Sequence, residues 1–148
     1  MPDIRHHVGI NAPRSDVYAA LATREGLAQW WTTSTEGESR PGENLTFRFG
    51  QPEPSAVMKV LELIPDTRVR WQCVVGPDEW LDTILTFELK ANGEETLIAF
   101  THGDWREPVD FMGHCSTKWA YFLLGLKAGL EGGKATPWPH DMSISSWG

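Results

Sequence analysis

Cysteine is scarce in this chain: Cys73 and Cys115 are the only two among 148 residues. They fall in different expected elements and fit no metal-ligand spacing such as C-x-x-C. Two buried free thiols are one reading. A disulfide across the interior is the other, and a cytoplasmic setting disfavours it. The chain also lacks any apolar run near the ~20 residues that a membrane span requires. Residues 1–20 carry Asp3, Arg5, Arg14 and Asp16 without an apolar h-region, so no secretory leader is expected and the chain reads as cytoplasmic. Basic clusters are missing too. The net charge is −7, and Arg68 and Arg70 are the only close basic pair on one strand face. Phosphate backbones and anionic lipid surfaces both require positive surface, so neither nucleic acid nor membrane is an expected partner. A G-x-S-x-G elbow, a phosphate-cradling glycine loop and a dinucleotide fingerprint are all absent.

Tryptophan, by contrast, is abundant. Eight occur, at positions 30, 31, 71, 80, 105, 119, 138 and 147, on nearly every expected element. Each can bury about 150 to 250 Å² and carries one N–H that needs a partner when buried. A chain of this length buries roughly 70% of its unfolded surface as one domain, so residues 1–148 are read as a single domain. That much ring area suits either a solid core or the wall of a chamber.

The order of elements follows from periodicity and turn residues. Residues 4–10 alternate and read as a strand. Pro13 suits the first position of a helix that carries Val17, Tyr18 and Leu21 to about Thr23. A short helix over 25–31 ends in Trp30-Trp31. From Thr35 to His102 the period drops to near two, with strands expected at 44–49, 56–64, 68–75, 81–90 and 95–102 and a short one near 35–39. The breaks are Pro41-Gly42, Gly50 to Pro54, Pro65-Asp66, Gly76-Pro77-Asp78 and Asn92-Gly93. Connections this short favour an antiparallel meander. Asp110 then stands where it can cap a long helix, whose stripe is Met112, Cys115, Trp119, Phe122, Leu123, Leu126 and Leu130. Gly132-Gly133 stops it. The tail, with Pro137, Trp138, Pro139 and Trp147, reads as extended and docked. A long helix across a curved antiparallel sheet makes an α+β domain with one interior space.

Several segments resemble a known family. Trp30-Trp31-Thr32, the stretch from Val60 to Trp71, the strand from Thr96 to His102, and Trp119, Leu123, Leu126 with Leu130-Glu131-Gly132-Gly133 are similar to motifs of the START-like (SRPBCC) superfamily. Within it, the chain looks most like the group of the C-terminal domain of the activator of heat-shock protein 90 ATPase. The resemblance implies a helix-grip fold, in which the sheet wraps a long C-terminal helix around a cavity. Relatives bind lipids, hormones or polyketides, some catalyse cyclisation and some work through protein contacts, so function must be argued from the site.

Alternation assigns inward faces to the strands. Leu45, Phe47 and Phe49 point one way, as do Val69, Trp71, Cys73 and Val75; Leu81, Thr83, Leu85, Phe87 and Leu89; and Ile98, Phe100 and His102. The 56–64 strand does not resolve. Set against the helix stripe, these faces give a concavity of Phe47, Phe49, Trp71, Cys73, Leu85, Phe87, Phe100, Trp119, Phe122 and Leu123. Thr83, His102 and a tryptophan N–H are its polar exceptions. Trp30, Trp80 and Trp105 are expected at its wall or mouth, and Trp71 and Trp119 are expected to face each other. The same residues can also pack solid.

His102 is the one candidate for a general base, since it ends an inward apolar run. His102, Asp104, Glu107, Asp110 and His114 have metal-type chemistry at no recognised spacing, so no metal is assigned. No cofactor is implied either. The leading expectation is binding of a small apolar or aromatic molecule. The alternatives are a protein-interaction module acting on a chaperone ATPase and, third, a cyclase- or hydrolase-like enzyme using His102.

Overall fold

The computed structural model describes residues 1–50 and 55–148. Seven strands form one antiparallel sheet: β1 (Ile4–Ile10), β2 (Thr35–Gly37), β3 (Asn44–Phe47), β4 (Ala56–Ile64), β5 (Arg68–Val75), β6 (Ile84–Asn92) and β7 (Glu95–Gly103). Their spatial order is β1-β7-β6-β5-β4-β3-β2. Strands β2 to β7 are thus a simple meander, as the short turns require. β1 joins at the far edge by pairing with β7, from Ile4 opposite His102 to Ile10 opposite Thr96. The chain must therefore travel from one sheet edge to the other between β1 and β2, and α1 (Arg14–Ala22) and α2 (Arg24–Ala28) make that crossing. α1 packs on β5 and β6 and touches α3 (Asp110–Leu130). The fold is a helix-grip α+β domain.

Several boundaries differ from expectation: α2 ends at Ala28 rather than Trp31, β3 at Phe47 rather than Phe49 and β2 at Gly37 rather than Ser39. Pro13 stands at the N-cap of α1 with extended backbone, one position ahead of the helix, and its carbonyl accepts from Asp16 and Val17. Val109 rather than Asp110 is the N-cap of α3, and no side chain caps that end. Asp110 is the first helical residue, where its charge still complements the helix dipole. β6 begins at Ile84, because Asp78–Trp80 form a 3₁₀ turn and Asp82 takes φ +67°. The turn expected from Gly50 to Pro54 lies, beyond Gly50, outside the described residues.

β4 is the strand that alternation left open, and its pairing explains why. Val60 faces Trp71 but Glu62 faces Arg70, so Leu61 is an extra residue in the ladder. Such a bulge switches which residues point inward. Before it Ala56, Met58 and Val60 are buried; after it Leu63 packs on the core while Leu61 and Ile64 are exposed.

α3 spans 21 residues, about 32 Å. Its buried stripe is Cys115, Trp119, Phe122, Leu123 and Leu126. It ends in a Schellman cap: Gly132 takes φ +94°, and the Gly133 N–H reaches back to the Ala128 carbonyl at 2.8 Å. Polar ties fasten its outer side to β1, from Lys127 Nζ to the Gly9 carbonyl at 2.6 Å and between His6 Nε2 and the Ser116 carbonyl at 3.0 Å. On the β5–β6 surface Arg68 bridges Glu62 and Glu88, so the cation is paired twice.

The junction of α1 and α2 leaves no room for a side chain. A Cβ on Gly26 would stand 2.3 Å from the Ala19 carbonyl and 2.6 Å from the Ala20 Cα, both backbone atoms. Gly113, in the first turns of α3, has open space instead. Gly26→Ala is therefore expected to lower unfolding free energy by about 1–3 kcal/mol through overpacking. Gly113→Ala is expected to raise it by up to about 1 kcal/mol through helix propensity. Urea denaturation of the two variants checks the contrast.

Candidate functional site

Aromatic side chains fill the space between the sheet and the middle of α3. Trp31 sits at the centre, with ring centroids 4.3 Å from Phe47, 4.9 Å from Trp119 and 6.0 Å from Trp71. It therefore lies between the two tryptophans expected to face each other. Phe87 and Phe100 close the layer behind, Phe100 lying 4.6 Å from Trp119. Trp30 points the other way, into the packing against α1, where its indole N–H donates to the Ala20 carbonyl at 2.9 Å. The two lie in the turn that follows α2 and both are buried, Trp30 meeting Phe87 edge-on at 6.3 Å on its own side.

One polar chain threads this apolar layer. Trp119 Nε1 donates to His102 Nδ1 at 3.1 Å. An indole N–H can only donate, so Nδ1 accepts and the neutral ring carries its proton on Nε2. That N–H donates to Thr83 Oγ1 at 2.8 Å, and the Thr83 hydroxyl donates to the Trp80 carbonyl at 2.6 Å. His102 is fully buried, and burial pushes its pKa down to about 3. Neither nitrogen is free to take a proton from a substrate. The general-base role considered for His102 is corrected on that ground: the ring is committed to holding α3, β7 and the 3₁₀ turn together.

Open space lies to one side of this filled layer. A cavity of about 320 Å³ is bounded by Trp31, Phe49, Ser55, Ala56, Pro77 and Trp80 on the sheet side. Phe111, His114, Cys115, Lys118, Trp119 and Phe122 bound it from α3, and Trp138, Asp141, Trp147 and Gly148 from the tail. The tail is held in place by a parallel bridge between Trp138 and Thr32, with the Trp138 N–H on the Trp31 carbonyl. Further along, Lys118 Nζ pairs with the Asp141 carboxylate and donates to the Met142 carbonyl at 2.7 Å, and His114 Nδ1 meets Ser145 Oγ at 2.7 Å. The Trp80 indole N–H is buried beside the Cys115 thiol, a weak acceptor, and makes no hydrogen bond of normal geometry. Burial raises the Cys115 and Cys73 thiols to about 12, so neither is an activated nucleophile. His114 is shifted down, first by burial and then by the Lys118 charge. Among the described residues no group of three or more His, Cys, Asp or Glu could hold a metal ion. No helix among them is long and apolar enough to cross a membrane.

The family described as activator of Hsp90 ATPase homolog 1-like protein matches residues 11–131. The chain belongs to that family. The Aha1 dimer from Colwellia psychrerythraea, determined in solution, is 41% identical with a TM-score of 0.82, over 91% of this chain and all of that one. CalU16 from Micromonospora echinospora is similar in fold, with a TM-score of 0.73 at 20% identity over 90% of this chain and 76% of that one. DynU16, from the dynemicin biosynthetic locus, has a TM-score of 0.72 at 22% identity, over 92% of this chain and 49% of that one. No match is found among curated proteins.

Within this family member, four residues of the expected concavity lie on the cavity wall: Phe49, Trp80, Trp119 and Phe122. The other eleven do not. Phe47, Trp71, Cys73, Leu85, Phe87, Phe100 and Leu123 are buried in the filled layer or the sheet beneath it, with Trp30 behind them against α1. Thr83 and His102 are used up in the polar chain. Trp105 is buried against His102 and Phe111, its N–H unpaired like that of Trp71. Sequence reading missed Trp31, and it missed Phe111, His114 and Lys118, which lie one helical step beside the stripe at 115, 119 and 122. It also missed the tail as a wall: Trp138 and Trp147 were expected to dock, and Trp147 does so only partly, remaining 57% exposed.

The buried neutral imidazole makes stability depend on pH in a definite direction. The unfolded chain binds a proton at His102 near pH 6.5, whereas the folded chain does not until about pH 3. The unfolded state thus gains protons first as pH falls, and folding weakens from about 6.5 downward at up to ~1.4 kcal/mol per pH unit from this group. His102→Gln is expected to show a correspondingly flatter pH dependence between 6.5 and 5 in urea titrations. The His102 ring resonances are expected to stay constant over the same range, in the Nε2–H tautomer.

Proposed function

We propose that this chain binds a small aromatic or apolar molecule, in the cytoplasm, in the cavity between Trp31, Trp80, the first half of α3 and the tail. One observation carries the reading. The cavity of about 320 Å³ is walled by aromatic rings and carries a few polar side chains, His114, Lys118 and Asp141. That size and character suit a small-molecule site. Two free buried thiols agree with a reducing compartment. Expected on titration with a panel of one- and two-ring aromatic compounds is quenching of tryptophan fluorescence together with a rise in melting temperature, since binding to the native state alone must stabilise it. A panel-wide absence of both signals removes the reading.

Family membership favours a second reading. The 41%-identical relative is described as an Aha1 dimer, and the matching family is named for activation of the Hsp90 ATPase. On that reading the outer surface contacts a chaperone ATPase and changes its turnover. A pull-down with a purified chaperone ATPase, followed by a turnover assay, is expected to show association and acceleration. Unchanged turnover at saturating chain concentration excludes it.

A further inference from the structure

The cavity contains one feature that an apolar chamber does not need. Among the described residues, Lys118 is the only lysine or arginine on its wall. Its side chain is 14% exposed and that of its partner Asp141 is 11% exposed. The ammonium also lies 5.1 Å from the centre of the Phe122 ring and 5.4 Å from that of Tyr121. An ammonium withdrawn this far from water needs an anion beside it, because an unpaired buried charge is costly. The fold supplies that anion from the tail.

Resting on the ligand-binding reading above, we propose that Lys118 anchors the carboxylate of an aromatic acid, and that Asp141 is the internal stand-in such a ligand displaces. The two partners are unequally fixed. Lys118 stands on α3, within a turn of Trp119, whose ring and N–H are locked in the interior. Asp141 lies beyond the last backbone pairing of the tail at Trp138, where contacts to α3 run through side chains: Lys118, Tyr121 and His114. The carboxylate is the partner that can leave. Replacing one carboxylate by another keeps Lys118 neutralised, so the electrostatic exchange is nearly even and the rings of Trp31, Trp80 and Trp119 supply the net gain. A cationic ligand would have to evict Lys118 from the helix instead. One exchangeable carboxylate matches a monoanion rather than a phosphate dianion.

Isothermal titration calorimetry with three probes of one ring system tests this: 1-naphthylacetate, its neutral amide, and 1-naphthylmethylammonium. Expected is binding of the carboxylate at least about tenfold tighter than the amide, the worth of a charge-assisted hydrogen bond. Lys118→Gln abolishes that preference and leaves amide affinity within about twofold, while Lys118→Arg retains it. Asp141→Asn removes the internal competitor, tightening the carboxylate and leaving the amide unchanged. Circular dichroism melts establish that each variant is folded; if Lys118→Gln is not, the arginine and asparagine variants decide. Equal affinity for amide and carboxylate, tightest binding of the ammonium, or weaker carboxylate binding by Asp141→Asn overturns the role of Lys118 while leaving an aromatic site intact. Failure of all three probes to bind removes both this role and an aromatic ligand in the cavity.

Discussion

The arrangement of this domain depends on pairing a few polar groups buried inside a layer of aromatic rings. Trp119, His102, Thr83 and the Trp80 carbonyl do so in a line, each donor meeting one acceptor. Trp119, His102 and Thr83 are buried deeply enough that losing a partner would leave a desolvated polar atom, at about 1–3 kcal/mol. The consequence is geometric. Trp119 can reach Nδ1 only if α3 is rotated one way about its axis, and that rotation decides which helix flank meets open space. Thr83 in turn holds the 3₁₀ turn that carries Trp80. Both long walls of the cavity are thus set by one neutral imidazole at the end of β7.

Much of the fold could be read from alternation and turn chemistry, because the inner faces of β3, β5, β6 and β7 carry apolar residues at every second position. The reading failed where a local rule was interrupted. Leu61 as a bulge gives β4 two phases in nine residues, and no single alternation fits them. Alternation puts Val75 inward on β5, but it is 46% exposed, because a register shift at Val74 pairs it with Val57 on the outer face. Pro13 and Asp110 are good residues for a helix start, but composition does not say whether a residue is the cap or the first turn.

The site was harder to read for a different reason. Inward-facing and cavity-lining are not the same property when large rings fill most of the interior. Phe47, Trp71, Phe87 and Phe100 face inward and are consumed in packing. What remains open is decided by volume, and volume is a sum over the sheet, α3 and the tail. Trp31 shows this directly: paired with Trp30 in sequence, it differs only in direction, and direction alone puts it at the meeting point of Phe47, Trp71 and Trp119. The tail contributes Trp138 and Asp141 from positions whose docking no periodicity encodes.

Such a division of labour bears on how members of one fold come to differ. The polar chain and the ring layer are expensive to alter, since each part is buried and mutually dependent. The remaining walls are a flank of α3, the 3₁₀ turn and a tail held beyond Trp138 mainly by side-chain contacts. Substitutions there change the shape and charge of the cavity without disturbing the chain from Trp119 to Trp80. Similarity in fold to CalU16 and DynU16 at about a fifth identity therefore carries the architecture alone. On the ligand-binding reading, specificity resides in the few residues around Lys118 and in the tail opposite them.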